Sequence, residues 1–166
     1  DHNVAVGYAA LSADTLGSRS TAIGRGALAL QNFTTAAEAD NTAVGYSAGL
    51  SITTGVKNTL IGTLAGDALT DADNNVAIGS YSLVNITGNN NIAIGYEAGR
   101  YASGSQNTFV GSDAGKGGTT SAPFSSGTHN VALGYGALQA FTTGNDNVAI
   151  GSAAGDAITS GYRNVT

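Results

Sequence analysis

The phrase Asn75-Val76-Ala77-Ile78-Gly79 returns along the whole chain, and this return constrains the fold more than any other feature. Copies begin at Asn3, Ser20, Asn41, Asn58, Asn75, Asn91, Asn107, Asn130 and Asn147, and a shortened one at Asn164. The spacing is 16 or 17 residues, apart from steps of 21 and 23. The extra residues therefore fall within 31–40 and 116–129. A unit this short has no comfortable room for a helix beside a strand. It holds two short strands and two turns, which is one rung of a β-solenoid. Residues 1–166 thus read as a single all-β domain of about ten rungs.

Each position of the unit supports this. The fourth residue is always Val, Ile or Leu, from Val6 and Ile23 through to Ile150. The third is usually Ala, with Leu60 and Phe109 as exceptions. Branched side chains favour a pleated strand, and strand alternation puts the second and fourth residues on one face and the third on the other. Neither face is strongly polar, so both are expected to be covered. Gly closes the strand in all nine complete units. A small residue follows three places on, then Leu or Gly. A further apolar site at Ile52, Leu69, Ile86, Phe141 and Ile158 reads as a second strand, and Thr-Thr-Gly or a relative of it reads as the closing turn.

Composition narrows the functions. Charged residues make up only 10% of the chain, too few for the solvent face of a helical bundle. The net charge is −5 and the six basic residues are scattered, which argues against nucleic acid as a partner. No run of the given residues is apolar enough to span a membrane, and none of them reads as a signal peptide. With both ends inside a repeat, the chain is expected to be an internal piece of a longer fibrous protein. Zero Cys rules out disulfides and thiolate metal sites. A rung this thin needs outside cover for its two-faced apolar strand, and another copy of the chain is the natural cover. Cyclic self-association is the expected solution.

Asn-Val-Ala-Ile-Gly followed by a small-residue Ala-Leu or Ala-Gly step resembles the YadA-like head repeats of trimeric autotransporter adhesins and related repeats in bacteriophage fibres. The steps Tyr46–Gly49 and Tyr96–Gly99, and the 16–17-residue period, are more like the phage-fibre variants, since adhesin head repeats are shorter. The resemblance covers the whole chain. It implies a left-handed parallel β-roll, a homotrimer, an extracellular place on a bacterial surface or a virion fibre, and attachment to a host or environmental receptor, with glycans among the candidates. The alternative from another class is a monomeric carbohydrate- or ice-binding solenoid.

Candidate sites are weighed against structural roles. The column Asn3, Asn41, Asn58, Asn75, Asn91, Asn107, Asn130 and Asn147, broken by Ser20, reads as an amide ladder at a corner. Tyr8, Tyr46, Tyr96 and Tyr135 follow the strand-closing Gly. They could stack on sugars or pack against a neighbouring chain. The first insertion carries Phe33, Glu38 and Asp40; the second carries Pro123, Phe124 and His129. Loops that leave a solenoid often carry recognition, so these are the candidate receptor contacts, with simple cover of the rod as the other reading. Asp67, Asp71 and Asp73 form the densest acidic cluster but lack the spacing of a calcium loop. His2 and His129 make no conventional zinc site without further ligands. No nucleophile elbow or phosphate loop is present, so neither metal, cofactor nor enzymatic activity is expected.

Overall fold

A computed structural model describes residues 2–118 and 124–166. Eleven short strands run as β1 Val4–Val6, β2 Gly17–Ser18, β3 Thr21–Ile23, β4 Ala37–Glu38, β5 Thr42–Val44, β6 Thr59–Ile61, β7 Val76–Ile78, β8 Ile92–Ile94, β9 Thr108–Val110, β10 Val131–Leu133 and β11 Val148–Ile150. Nine of them form one parallel sheet in the order β1-β3-β5-β6-β7-β8-β9-β10-β11. Equivalent repeat positions pair throughout, as in Val76↔Ile92, Ala77↔Ala93 and Ile78↔Ile94. The chain is therefore an all-β parallel solenoid of about eight turns. Nine stacked strands are eight coil-to-coil steps, and the tenth copy adds only one bridge, Val148↔Val165, rather than a strand. The small sheet β2-β4 ties the first insertion to the coil before it.

The expected second strand does not form. After each strand-closing Gly the backbone alternates in the sign of φ, as at Gly79, Tyr81 and Leu83, with φ of 127°, 60° and 49°. Such alternation is incompatible with a pleated strand. It makes a chain of turns in which successive N–H groups serve different partners. Ser82 N–H closes a local turn on Gly79 O at 3.3 Å, while Tyr81 N–H and Leu83 N–H reach the flanking coils at Thr63 O and Ala98 O. Ile52, Leu69, Ile86 and Phe141 still point inward and are fully buried, so the apolar signal was right about burial and wrong about strand geometry.

The third residue of each repeat, which is the middle residue of its strand, faces the interior from β3 onward in the nine-strand sheet: Ala22, Ala43, Leu60, Ala77, Ala93, Phe109, Ala132 and Ala149 are all fully buried. The two large exceptions are matched by glycines. A Cβ at Gly66 would stand 2.7 Å from Leu60 Cδ2, and one at Gly115 only 2.1 Å from Phe109 Cδ1. Where the strand carries Ala, the facing position can carry Leu, as with Ala77 and Leu83. Where both positions are small, side chains of the flanking coils fill the space, as Leu83 and Phe109 do beside Gly99. Phe141 packs against Phe109 with ring centroids 5.6 Å apart.

The Asn column is a buried ladder. Asn91 N–H and Asn91 Nδ2 both donate to Asn75 Oδ1, at 2.9 and 3.1 Å, and Asn107 does the same to Asn91 Oδ1. Several amides also donate to the facing corner, as Asn58 Nδ2 does to Ala72 O at 2.9 Å. From Asn41 to Asn147 these side chains are fully buried. Each unmet donor in such a place would cost about 1–3 kcal/mol, so the ladder is what allows polar corners inside a thin rod.

Ser20 interrupts the ladder, and Gln31 repairs it. Gln31 occupies the inward position held by Ile52 or Leu69 in later coils and is fully buried. Its Oε1 accepts from Asn41 Nδ2 at 2.9 Å, and its Nε2 donates to Ser20 Oγ at 3.2 Å and to Asp14 Oδ2 at 3.3 Å. Asp14 in turn accepts from Asn3 Nδ2 at 3.3 Å and from Gly17 N–H at 3.0 Å. The inward position after the turns is therefore polar in the first two coils, at Asp14 and Gln31, and apolar at Ile52, Leu69 and Ile86 in the coils that follow.

Candidate functional site

The most informative surface is the outer face of the nine-strand sheet. Inward burial of the third residue forces the second and fourth outward. They make two parallel rows: Val4, Thr21, Thr42, Thr59, Val76, Ile92, Thr108, Val131 and Val148 in one, and Val6, Ile23, Val44, Ile61, Ile78, Ile94, Val110, Leu133 and Ile150 in the other. Val6, Ile61, Ile94, Leu133 and Ile150 are between 38% and 60% exposed. With strands about 4.8 Å apart, the rows run roughly 38 Å along the rod. So long an apolar strip is unusual on a lone chain, which makes this face the candidate site. The expectation of cover on both strand faces is met on one side only: among the described residues nothing covers the outer rows.

Two borders flank this face. One is the residue after the closing Gly: Tyr8, Arg25, Tyr46, Thr63, Ser80, Tyr96, Ser112, Tyr135 and Ser152. The candidate tyrosines Tyr46, Tyr96 and Tyr135 are 48%, 52% and 64% exposed. The Arg25 guanidinium lies between the rings of Tyr8 and Tyr46, 5.7 and 5.5 Å from their centroids, and donates to Tyr46 Oη at 3.1 Å. The other border is the residue before the ladder: His2, Arg19, Asp40, Lys57, Asn74, Asn90, Gln106, His129, Asp146 and Arg163. From Arg19 onward each of these has φ between 50° and 64°, which turns its side chain out at the corner.

The first insertion does not present Phe33. Its ring is only 8% exposed, so Phe33 cannot offer a free aromatic face, and that expectation is corrected. Glu38 is exposed in β4 and pairs with Arg19 at 2.6 Å. Asp40 is half-buried on the border just described. An open cleft of about 410 Å³ lies beside this insertion, lined by His2, Leu16, Ser18, Arg19 and Ala36–Glu38. In the second insertion Phe124 is half-buried and stacks on Tyr101, with centroids 6.3 Å apart and planes 18° apart. His129 is exposed, with Nδ1 3.0 Å from Thr128 Oγ1. Pro123 lies outside the described residues. The structure therefore does not gather the candidate receptor residues into one place: Phe33, Glu38 and Asp40 are near the β3–β5 end, and Phe124 and His129 are several coils away.

A charged cluster that the sequence reading missed sits between β8 and β10. Glu97, 5% exposed, pairs with Arg100 on its own coil and with Lys116 on the next at 2.5 Å. Lys116 also pairs with Asp113 at 2.9 Å. Burial opposes the charge on Glu97, but hydrogen bonds from Lys116 and Tyr96, with the nearby Arg100 and Lys116 charges, hold its carboxyl below the usual range. The hydrogen bond to Glu97 pushes Lys116 up, and the same carboxylate raises Tyr96. Arg100 is stacked between Tyr81 and Tyr101. The repeat offset could have revealed this cluster, because Glu97 and Asp113 share one repeat position and Arg100 and Lys116 another.

The acidic group is dispersed into structural roles. Asp73 Oδ1 accepts from Val56 N–H at 2.8 Å, and Asn89 Oδ1 accepts from Asp73 N–H at 2.8 Å. Ser105 and Asn145 extend this second column of side-chain-to-coil bonds. Asp71 is capped by Thr70 Oγ1. Burial pushes the Asp67 carboxyl up. Among the described residues no group of three or more His, Cys, Asp or Glu is placed to hold a metal ion, and no helix is long and apolar enough to cross a membrane. No protein-family model matches the chain, and no curated protein or solved structure matches it.

Proposed function

We propose that this chain is a segment of an extracellular homotrimeric fibre, on a bacterial surface or a virion, that holds out side chains for attachment to a surface receptor. The observation that carries the reading is the uncovered apolar strip of the outer sheet face. A second copy covers it, and the length of the strip asks for a partner of equal length.

Geometry supports three copies. Six residue steps separate the two borders, and at about 3.3 Å each they stand roughly 20 Å apart. Three such faces closed into a triangle leave each sheet about 6 Å from the axis. Packed sheets are about 10 Å apart, so each side chain layer fills about 5 Å. Four faces would leave about 10 Å and an unfilled channel. The left-handed coil and the attachment role come from the resemblance to adhesin-head and phage-fibre repeats. A glycan is the first receptor class to test, because exposed Tyr8 and Tyr135 have the flat rings that sugars stack on.

One observation favours a second reading. Thr21, Thr42 and Thr59 stand on consecutive strands of the outer row, with Thr108 further along, and hydroxyls in register on a flat face are what an ice- or carbohydrate-binding monomer needs. The native mass separates the two. With a chain of 16.3 kDa, light scattering at micromolar concentration is expected to give about three chains' mass. A mass of one chain, with thermal hysteresis or glycan binding, would transfer the face to the second reading.

A further inference from the structure

The two borders of the apolar face are chemically different, and the basic residues without an ion pair lie on them. Six Lys and Arg residues are present. Arg19, Arg100 and Lys116 are ion-paired within the chain. Among the described residues Arg25, Lys57 and Arg163 make no ion pair, and all three lie on a border. Arg25 is on the Tyr side; Lys57 and Arg163 are on the corner before the ladder, together with Asp40 and Asp146, which are likewise without an ion pair.

We infer that the copies associate in parallel, with the Tyr border of one chain against the pre-ladder border of the next, one coil further along, and that Arg25 pairs with Asp40 of the neighbouring copy. The inference rests on the self-association proposed above and adds its direction, register and contacts. Rotation about an axis along the rod always brings unlike borders together, whereas an antiparallel pair brings like borders together. The unlike borders match. With a one-coil offset Tyr8 meets Arg19, Arg25 meets Asp40, Tyr46 meets Lys57 and Tyr135 meets Asp146. These are two cation–ring contacts, an ion pair and a hydroxyl–carboxylate contact. Level pairing would instead set Arg25 against Arg19, like against like. An offset of one coil is about 4.8 Å, within the reach of an Arg side chain. Within one chain Arg25 and Asp40 sit on opposite borders, roughly 20 Å apart by strand rise, so only another copy can join them.

Charge reversal tests this. Arg25→Glu, Asp40→Arg and the double variant are compared with the unaltered chain. Dissociation is followed by light scattering at low salt across a dilution series in a fixed moderate urea concentration, and circular dichroism reports the coil itself. Arg19, Lys57 and Arg163 already sit at the Asp40 position of other coils, with φ of 57° to 64°, so Arg is accommodated there. Each single reversal is expected to raise the dissociation concentration about tenfold or more, and the double variant to restore it to within about threefold. An unaltered chain of three-copy mass with no rescue, or with singles that change nothing, overturns the register and leaves the trimer standing. A one-chain mass for the unaltered protein overturns both.

Discussion

Gly134 and Gly136 stand two residues apart in one coil, and the repeat assigns them different duties. Gly134 closes β10 with φ of 132°, and a Cβ there would lie 2.4 Å from Gly151 O of the next coil. Gly136 has φ of 63°, and its nearest neighbour would be the flexible end of Gln139 at 3.6 Å. Ala9, Leu64, Tyr81 and Glu97 occupy the same repeat position as Gly136 with similar φ. Gly134→Ala is therefore expected to cost at least about 2–3 kcal/mol, through strain and a backbone clash. Gly136→Ala is expected to stay within about 1 kcal/mol, because the left-handed cost is offset by a less flexible unfolded chain. Urea melts of the two variants check this, and equal losses would refute the assignment of the close approach to the strand-closing glycine. The strand-closing Gly was legible in the sequence because it never varies between coils. The alternating φ after it was not, since residues as different as Ser47, Tyr81 and Glu97 adopt the left-handed conformation there and no composition marks them.

At the scale of the coil, the structure is a set of ladders, and the first two coils show how they tolerate a gap. Removing the Gln31 side chain would leave Asn41 Nδ2 with only its bond to Gly55 O and would strip Ser20 and Asp14 of a partner. Gln31→Ala is expected to lower stability by about 2–4 kcal/mol, more than one buried hydrogen bond, because several groups lose satisfaction together. Ser20→Asn in the Gln31→Ala background restores the regular amide column and is expected to recover about half of that loss. No recovery in denaturant melts would mean that Gln31 acts by filling space. The Asn column itself could be read from the sequence. Its repair could not be read from one coil, since Gln31 looks like the start of a polar loop until it is aligned with Ile52 and Leu69. The second strand misled for a related reason. Apolar periodicity reports which residues are buried, and a chain of turns buries Ile86 as well as a strand would.

At the scale of the whole molecule, the pattern that led to the expectation of a strand covered on both faces leaves one of those faces open. Alternation placed Val, Ile and Thr on a face that a single coil cannot cover, and the structure leaves it open for the full length of the sheet. The candidate contacts were less legible. Phe33 faces inward because its insertion folds back along β2, whereas the borders become visible only once nine coils are stacked. The central claim is that this open face is the inside of an assembly, and a single thiol tests it most directly. The chain has no cysteine, so Ile94→Cys, at a site 38% exposed in one chain, and Thr54→Cys, at an exposed corner away from the face, each carry one reporter. Reaction with a water-soluble thiol reagent under native conditions is expected to be at least about a hundredfold slower at position 94 than at position 54, and to become equal in denaturant. Comparable native rates would mean that the face is open to water in solution and would contradict the account.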